Sequence, residues 1–263
     1  MRTLARQVRF SVNPFLETDE PGSNGFASNP PGEGLAVFLC LWVELKGKID
    51  PATGFIVNVV DIDRKTRKYV VPFIADSIRE NFREGKQISL CQLSELLRQC
   101  RKKLADKFSP ARLNKLTLDL NPFRKIAIET EDESMIYFSE KFSFAATHKL
   151  WNNDFTEQEN FEAFGKCANK TGHGHNYVAE ITIKSINGGV NVGQMERIVD
   201  AEFIQAVDHK NLNVDLTEFA DIIPTVENIT KFAWEKLSGK FGNDKLHCIT
   251  VWETEKTYCS YFG

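Results

Sequence analysis

The run Gly172-His-Gly-His-Asn-Tyr177 sets two imidazoles two residues apart. Alternate residues of a β-strand share a face, with Cα atoms roughly 6.6 Å apart, so His173 and His175 can reach one ion. His148 closes an earlier run, Ser134–His148, in which Phe142, Phe144, Ala146 and His148 alternate onto one face. Paired antiparallel beside the first, that strand supplies a third imidazole. Three neutral imidazoles leave a fourth position open, the arrangement of a catalytic zinc. The plain alternative is a polar strand with incidental histidines. All five histidines lie after residue 130, so a histidine-based site belongs to the second half.

Further reacting groups surround this pattern. Cys167 stands in the polar Gly165-Lys-Cys stretch, six residues before His173. A thiol beside an ion and imidazoles has a lowered pKa and can act as base or nucleophile. Cys40, Cys91 and Cys100 lie in apolar runs and read as structural. Asp208-His209 follows a helical pattern; it reads equally as a proton-transfer pair or as a histidine at a helix C-terminus. Glu253 ends the strand Ile249-Thr-Val-Trp-Glu. Its carboxylate can accept two parallel N–H bonds from a guanidine-like edge, such as that of a pterin or guanine, or can be a surface strand end. Thr225, after Pro224, reads as a helix N-cap.

The elements that must carry these residues repeat. In the second half the strands Ser134–His148 and His175–Ile186 precede two helical stripes: Met195, Ile198, Val199, Phe203 and Val207, then Ile229, Phe232, Ala233 and Leu237. The strands Leu246–Glu253 and Thr257–Phe262 close it. The first half has strands near Arg6–Val12 and Leu35–Lys48 and a helix near Val70–Phe82. A second helix carries Leu93, Leu96, Leu97, Cys100 and Leu104, and strands follow near Leu113–Leu120 and Lys125–Ile128. The order is ββααββ twice, with Glu129–Glu133 as linker.

Composition bounds the function. With 263 residues, 42% hydrophobic and 26% charged, the chain suits two packed domains and not a disordered one. The longest strictly apolar run, Leu35–Val43, is too short to cross a bilayer and suits a buried strand. No apolar segment follows Met1-Arg-Thr-Leu-Ala-Arg, which predicts a cytoplasmic protein. Six cysteines without a CxxC pair argue against a thiolate zinc ribbon or a disulfide scaffold. A net charge of −3 argues against nucleic acid as partner. Residues 1–130 hold 21 Lys and Arg against 15 Asp and Glu, and residues 131–263 hold 12 against 21, which reads as two domains with complementary faces.

Together these segments resemble the 6-pyruvoyl-tetrahydropterin synthase family, which includes the 6-carboxy-tetrahydropterin synthases of queuosine biosynthesis. The resemblance rests on Phe142-Ser-Phe-Ala-Ala-Thr-His148, Gly165-Lys-Cys-Ala-Asn-Lys-Thr-Gly-His-Gly-His-Asn-Tyr177, Val207-Asp-His-Lys-Asn-Leu-Asn213, Pro224-Thr-Val-Glu-Asn228 and Trp252-Glu-Thr254. It covers residues 134–263 and implies the α+β tunnelling fold (T-fold), in which ββααββ units with helices on one sheet face join into a barrel closed by oligomerisation. It implies Zn2+ on His148, His173 and His175, Cys167 as general base, and Asp208 with His209 as a second proton-transfer pair. Glu253 would anchor a small-molecule pterin, 7,8-dihydroneopterin triphosphate, with Thr225 nearby. The spacing Cys-x5-His-Gly-His resembles the pyruvoyl-forming branch.

Two stretches depart from that pattern. Asn187-Gly-Gly-Val-Asn191 replaces the family's frequent Gly-Met-Val-x-Asp/Asn, away from any reacting group. The first half carries Val12-Asn-Pro-Phe15 and Gly34-Leu-Ala-Val-Phe38 where the ligands would stand. Residues 1–130 are therefore expected to be a degenerate, non-catalytic unit and residues 131–263 the catalytic one, in a homo-oligomer. The alternatives are the carboxy-forming reaction and a non-catalytic zinc-containing pterin binder; a zinc hydrolase is disfavoured by the missing HExxH helix.

Overall fold

The computed structural model describes residues 1–16, 36–132, 134–186 and 188–263. Gly34 and Leu35 of the expected first strand pair, Glu133 of the linker and Asn187 lie outside the described residues. Contacts divide the chain into two compact units: Met1–Phe138 with Ser185–Val190, and Ser139–Lys184 with Asn191–Gly263.

The first unit runs β1 (Arg2–Val12), β2 (Val37–Gly47), α1 (Val59–Tyr69), α2 (Val71–Arg83), α3 (Leu90–Leu104), β3 (Arg112–Asp119) and β4 (Arg124–Glu129). Its sheet order is β1-β2-β3-β4, antiparallel throughout. Val8, Phe10 and Val12 on β1 and Leu39, Leu41, Val43 and Leu45 on β2 are buried, facing Ile62, Ile74, Leu97 and Leu104 of the helices in one core. Period-two burial is what a sheet covered on one face requires. The Leu35–Val43 run is thus not buried on both sides: Phe38 and Trp42 stay exposed, and the Trp42 indole donates to Asp119 Oδ2 at 3.0 Å. Among the described residues of this unit three helices stand where two were expected. The additional α1 buries only Ile62, Asp63 and Thr66 and is otherwise largely charged, so its apolar stripe is too thin to read. Asp63 is held by Arg67 Nε at 2.8 Å and Arg6 Nη2 at 3.4 Å.

The second unit starts within β5 (Met135–His148) and continues with α4 (Glu157–Phe164), β6 (His173–Ile186) and α5 (Val192–Val199). A π-helical turn over Asp200–Ile204, α6 (Gln205–Val207), β7 (Lys210–Asn211) and α7 (Leu212–Asp215) follow, then α8 (Val226–Leu237), β8 (Lys245–Thr254) and β9 (Thr257–Tyr261). The sheet order is β5-β6-β8-β9, with β7 pairing parallel to β5. Tyr177, Ala179, Ile181 and Ile183 are buried, as are Met195, Val199, Phe203, Val207, Ile229, Phe232, Ala233 and Leu237 of the two helical stripes read from the sequence; Ile198 of the first stripe is only half-buried. Helix α4 was not expected. It starts from a capping box between Thr156 and Glu159 and buries only Asn160. Among the described residues no helix is long and apolar enough to cross a membrane.

Of the three cysteines read as structural, Cys100 is buried, and desolvation pushes its thiol up to about 12. Cys91 is exposed, its Sγ 3.4 Å from the Gly188 carbonyl oxygen, which corrects its assignment to a core.

Candidate functional site

The end of β5 and the start of β6 carry the three imidazoles. Ser139 faces Thr182, Phe144 stacks on Tyr177 at 4.9 Å, and His148 faces His173, all in one antiparallel register. His148, His173 and His175 each present a ring nitrogen within 4.8 Å of the others, the one such group of metal-capable side chains among the described residues. His148 Nε2 and His173 Nε2 are 3.1 Å apart. Donors around one ion at about 2.1 Å lie at comparable separations.

The surroundings set the protonation of these rings. His148 is 1% exposed, and its Nδ1 lies 2.7 Å from the Pro224 carbonyl oxygen. A carbonyl only accepts, so Nδ1 carries the proton and Nε2 keeps its lone pair toward the other rings. Burial lowers the His148 pKa, and burial with the adjacent His175 lowers that of His173, so both favour the neutral, ligating form. His173 Nδ1 and His175 Nε2 are buried without a hydrogen-bond partner. Each such atom costs roughly 1–3 kcal/mol unless satisfied. Three clustered ring nitrogens, with His148 Nε2 left free by the backbone bond to Nδ1 and His175 Nε2 unsatisfied, fit a cation.

Glu253, near the end of β8, brings Oε1 to 3.5 Å from His148 Nε2 and 3.6 Å from His175 Nε2. Below the rings, the Tyr177 hydroxyl is fully buried; desolvation, with smaller contributions from Glu253 and Cys167, raises its pKa. Cys167 lies in the 3-10 turn Gly165–Ala168, which Gly165 enters at a φ of +54°. Its carbonyl accepts from Leu150 N–H at 3.0 Å, tying the turn to the segment just past His148.

Glycine is required where this segment enters β6. Gly172 has a φ of +72°, and a Cβ there would meet the His148 carbonyl oxygen at 2.8 Å. Gly172→Ala therefore combines left-handed strain of about 1–3 kcal/mol with a backbone clash. We expect a lower melting temperature together with weaker metal binding, measured by calorimetry and chelator competition; an unchanged variant would show that the close approach is not needed.

Asp208 and His209 face elsewhere. Asp208 Oδ2 is 2.9 Å from His209 Nδ1, and Oδ1 accepts from Ala145 N–H at 2.8 Å. That backbone bond and His209 hold the Asp208 carboxyl below its ordinary range. His209 sits at a φ of +56°, donates its N–H to the Ala145 carbonyl at 2.6 Å, and leaves its side chain 83% exposed. It lines a groove of about 580 Å3 with Ala145, Thr147, Gly174, Asn176 and Lys210, and His175 also borders that groove. Residues 145 and 147, and 174 and 176, alternate with the ligands, so by parity they stand on the sheet face opposite the imidazole rings.

The expected residues thus separate into two groups. His148, His173, His175 and Glu253 come together, the Cys167 turn is tied by its carbonyl to the segment just past His148, and Asp208 and His209 form a second group. Thr225 caps α8, its Oγ1 accepting from Asn228 N–H at 3.4 Å, and it follows the carbonyl that orients His148. The Pro224 carbonyl went unread because a backbone acceptor has no residue-type signature. The amide of Asn213, at the end of Val207–Asn213, likewise carries no signature that separates it from a surface asparagine.

A family model described as 6-pyruvoyl tetrahydropterin synthase matches residues 137–263. The human 6-pyruvoyl tetrahydrobiopterin synthase is 34% identical over 130 residues, 48% of this chain and 90% of that protein. The Drosophila melanogaster protein of the same name is 30% identical over 137 residues, 50% of this chain and 82% of the relative. Among solved structures, Caenorhabditis elegans 6-pyruvoyl tetrahydropterin synthase aligns with a TM-score of 0.47 and 31% identity, covering 49% of this chain and 96% of that one.

Proposed function

The chain belongs to the 6-pyruvoyl tetrahydropterin synthase family, and from that membership we propose that it is a zinc-dependent lyase that eliminates triphosphate from 7,8-dihydroneopterin triphosphate. The observation that carries the reading is the imidazole set, with His148 oriented by the Pro224 carbonyl and the unsatisfied His175 Nε2 lying 3.6 Å from Glu253. His148, His173 and His175 would hold the ion, which when bound supplies a Lewis acid for the substrate's side-chain oxygens.

The chain's own groups do the rest. The Glu253 carboxylate accepts two N–H bonds from the amino-pyrimidinone edge and fixes the ring. Cys167 takes a proton from the substrate side chain, and Asp208 orients His209 to relay another. The C–O bond to triphosphate breaks and the leaving group departs with its electron pair. Since strand parity sets the imidazole rings and residues 145 and 147 beside His209 on opposite faces, we read the Asp208–His209 pair as serving a substrate held on another copy of the chain. That makes the active form an oligomer, with sheet edges paired between copies.

Registers inside the units support reading the first as an emptied repeat. The connection between the first two strands spans residues 13–36 in one unit and 149–172 in the other, equal in length. Ser89 caps α3 and Thr225 caps α8, each 136 residues apart, as are the strand ends Val12 and His148. On that offset Val37 and Leu39 correspond to His173 and His175. Leu41 pairs with Leu118 as Tyr177, by register, pairs with Glu253. Val12, Val37, Leu39 and Leu118 cannot bind an ion or a pterin edge, so zinc is expected at one per chain.

Glu253→Gln replaces an acceptor with a donor facing a donor-rich edge and should weaken neopterin binding by about 2–4 kcal/mol. Calorimetry checks this, and unchanged affinity would place the ring elsewhere. Product analysis separates the branches: a pyruvoyl pterin without acetaldehyde is expected, whereas acetaldehyde release would assign the carboxy-forming reaction.

A further inference from the structure

Residues 208–213 lie along the end of β5 almost bond for bond. Ala145 N–H donates to Asp208, His209 N–H donates to the Ala145 carbonyl, and β7 pairs Lys210 with Ala146 and Asn211 with Thr147. The ladder would then need a backbone partner for Lys149, but the chain has already turned into α7. The Asn213 side chain takes that place. Its Oδ1 accepts from Lys149 N–H at 2.7 Å and its Nδ2 donates to the Lys149 carbonyl at 2.9 Å. Asn213 is itself braced, since its N–H donates to Asn211 Oδ1 at 3.1 Å and the neighbouring Leu212 is fully buried.

Lys149 sits between two reacting groups. The residue before it is His148. The residue after it, Leu150, donates its N–H to the Cys167 carbonyl. One amide therefore fixes both backbone groups of the residue that joins a metal-binding imidazole to the thiol turn. The same amide belongs to the segment that begins with Asp208 and His209. Side chains of other types cannot do this: a matched donor and acceptor in one plane is the property of an amide.

We propose that Asn213 is a positioning residue that holds His148, the Cys167 turn and the Asp208–His209 pair in one register, acting through the backbone of Lys149. Its catalytic part rests on the lyase reading above; its metal part does not. The test is Asn213→Ala in the full chain, with zinc affinity measured by chelator competition and steady-state kinetics measured at saturating zinc. Asn213 holds the residue after His148 and not the ring itself, so zinc affinity should fall by up to the roughly 10-fold at the low end of what loss of a ligand's own outer partner costs. Misplacement of reacting groups by about 1 Å costs on the order of 100-fold in kcat, here with KM little changed. Asn213→Ser keeps a hydroxyl for one of the two bonds and should give intermediate losses in both readouts, which also covers the case in which the Ala variant fails to fold.

Wild-type zinc affinity in the folded variants would overturn the proposal. Weakened zinc binding with full kcat at saturating zinc would overturn the link to Cys167 and His209. A wild-type chain inactive on dihydroneopterin triphosphate would overturn the lyase reading, while the chelator competition would still decide whether Asn213 positions His148.

Discussion

His148→Ala is expected to take zinc from the proposed one ion per chain to none at micromolar metal. The ring is the most buried of the three, and its Nδ1–H satisfies the Pro224 carbonyl. Removing it leaves that carbonyl without its donor and opens a space beside Tyr177, so two half-buried imidazoles remain without the fixed one. Turnover should fall at least about 100- to 1,000-fold, since a Lewis acid supplies several kcal/mol of charge stabilisation and each 1.4 kcal/mol is tenfold. His247, whose ring packs against Phe262 at 5.9 Å, is the control, and His247→Ala should keep its zinc. Metal analysis of both purified variants checks the pair. Full zinc in His148→Ala would remove His148 from the ligand set.

Cys167→Ala separates chemistry from binding. The thiol is assigned to proton transfer, not to ligation, so zinc content and neopterin affinity should stay near wild type while kcat falls about 100- to 10,000-fold, the usual range for loss of a general base. The backbone carbonyl that receives the Leu150 N–H survives the substitution, so the turn keeps its tie to the segment past His148. Steady-state kinetics with parallel metal analysis reads both effects. Zinc loss would make Cys167 a ligand, and unchanged kcat would return it to a packing role.

Much of this was legible in residue type and parity. His148, His173 and His175 share a face because strand residues alternate, and the structure brings them together on the expected pair of strands. The buried stripe Met195, Val199, Phe203 and Val207 was readable from helical spacing, but the π-helical turn within it was not, because one extra residue in a turn leaves the apolar pattern almost intact. Helices α1 and α4 escaped because their buried residues include Asp63, Thr66 and Asn160, whose burial depends on partners distant in sequence or on local capping. Parity would also have separated Thr147 from His148 and so placed residues 145 and 147, beside His209, on the opposite face. What it lacked was the parallel pairing of β7 with β5, a contact across more than sixty residues. The orienting carbonyl of Pro224 and the clamp of Asn213 on Lys149 are backbone events, visible only once the chain is folded.

The most direct measurement is release of inorganic triphosphate from 7,8-dihydroneopterin triphosphate by the zinc-loaded chain, followed to many equivalents per chain. A lyase releases triphosphate continuously, stops when a chelator removes the metal and resumes when zinc is restored. Tight pterin binding with no triphosphate release beyond the uncatalysed rate would contradict the account and leave a zinc-containing pterin binder.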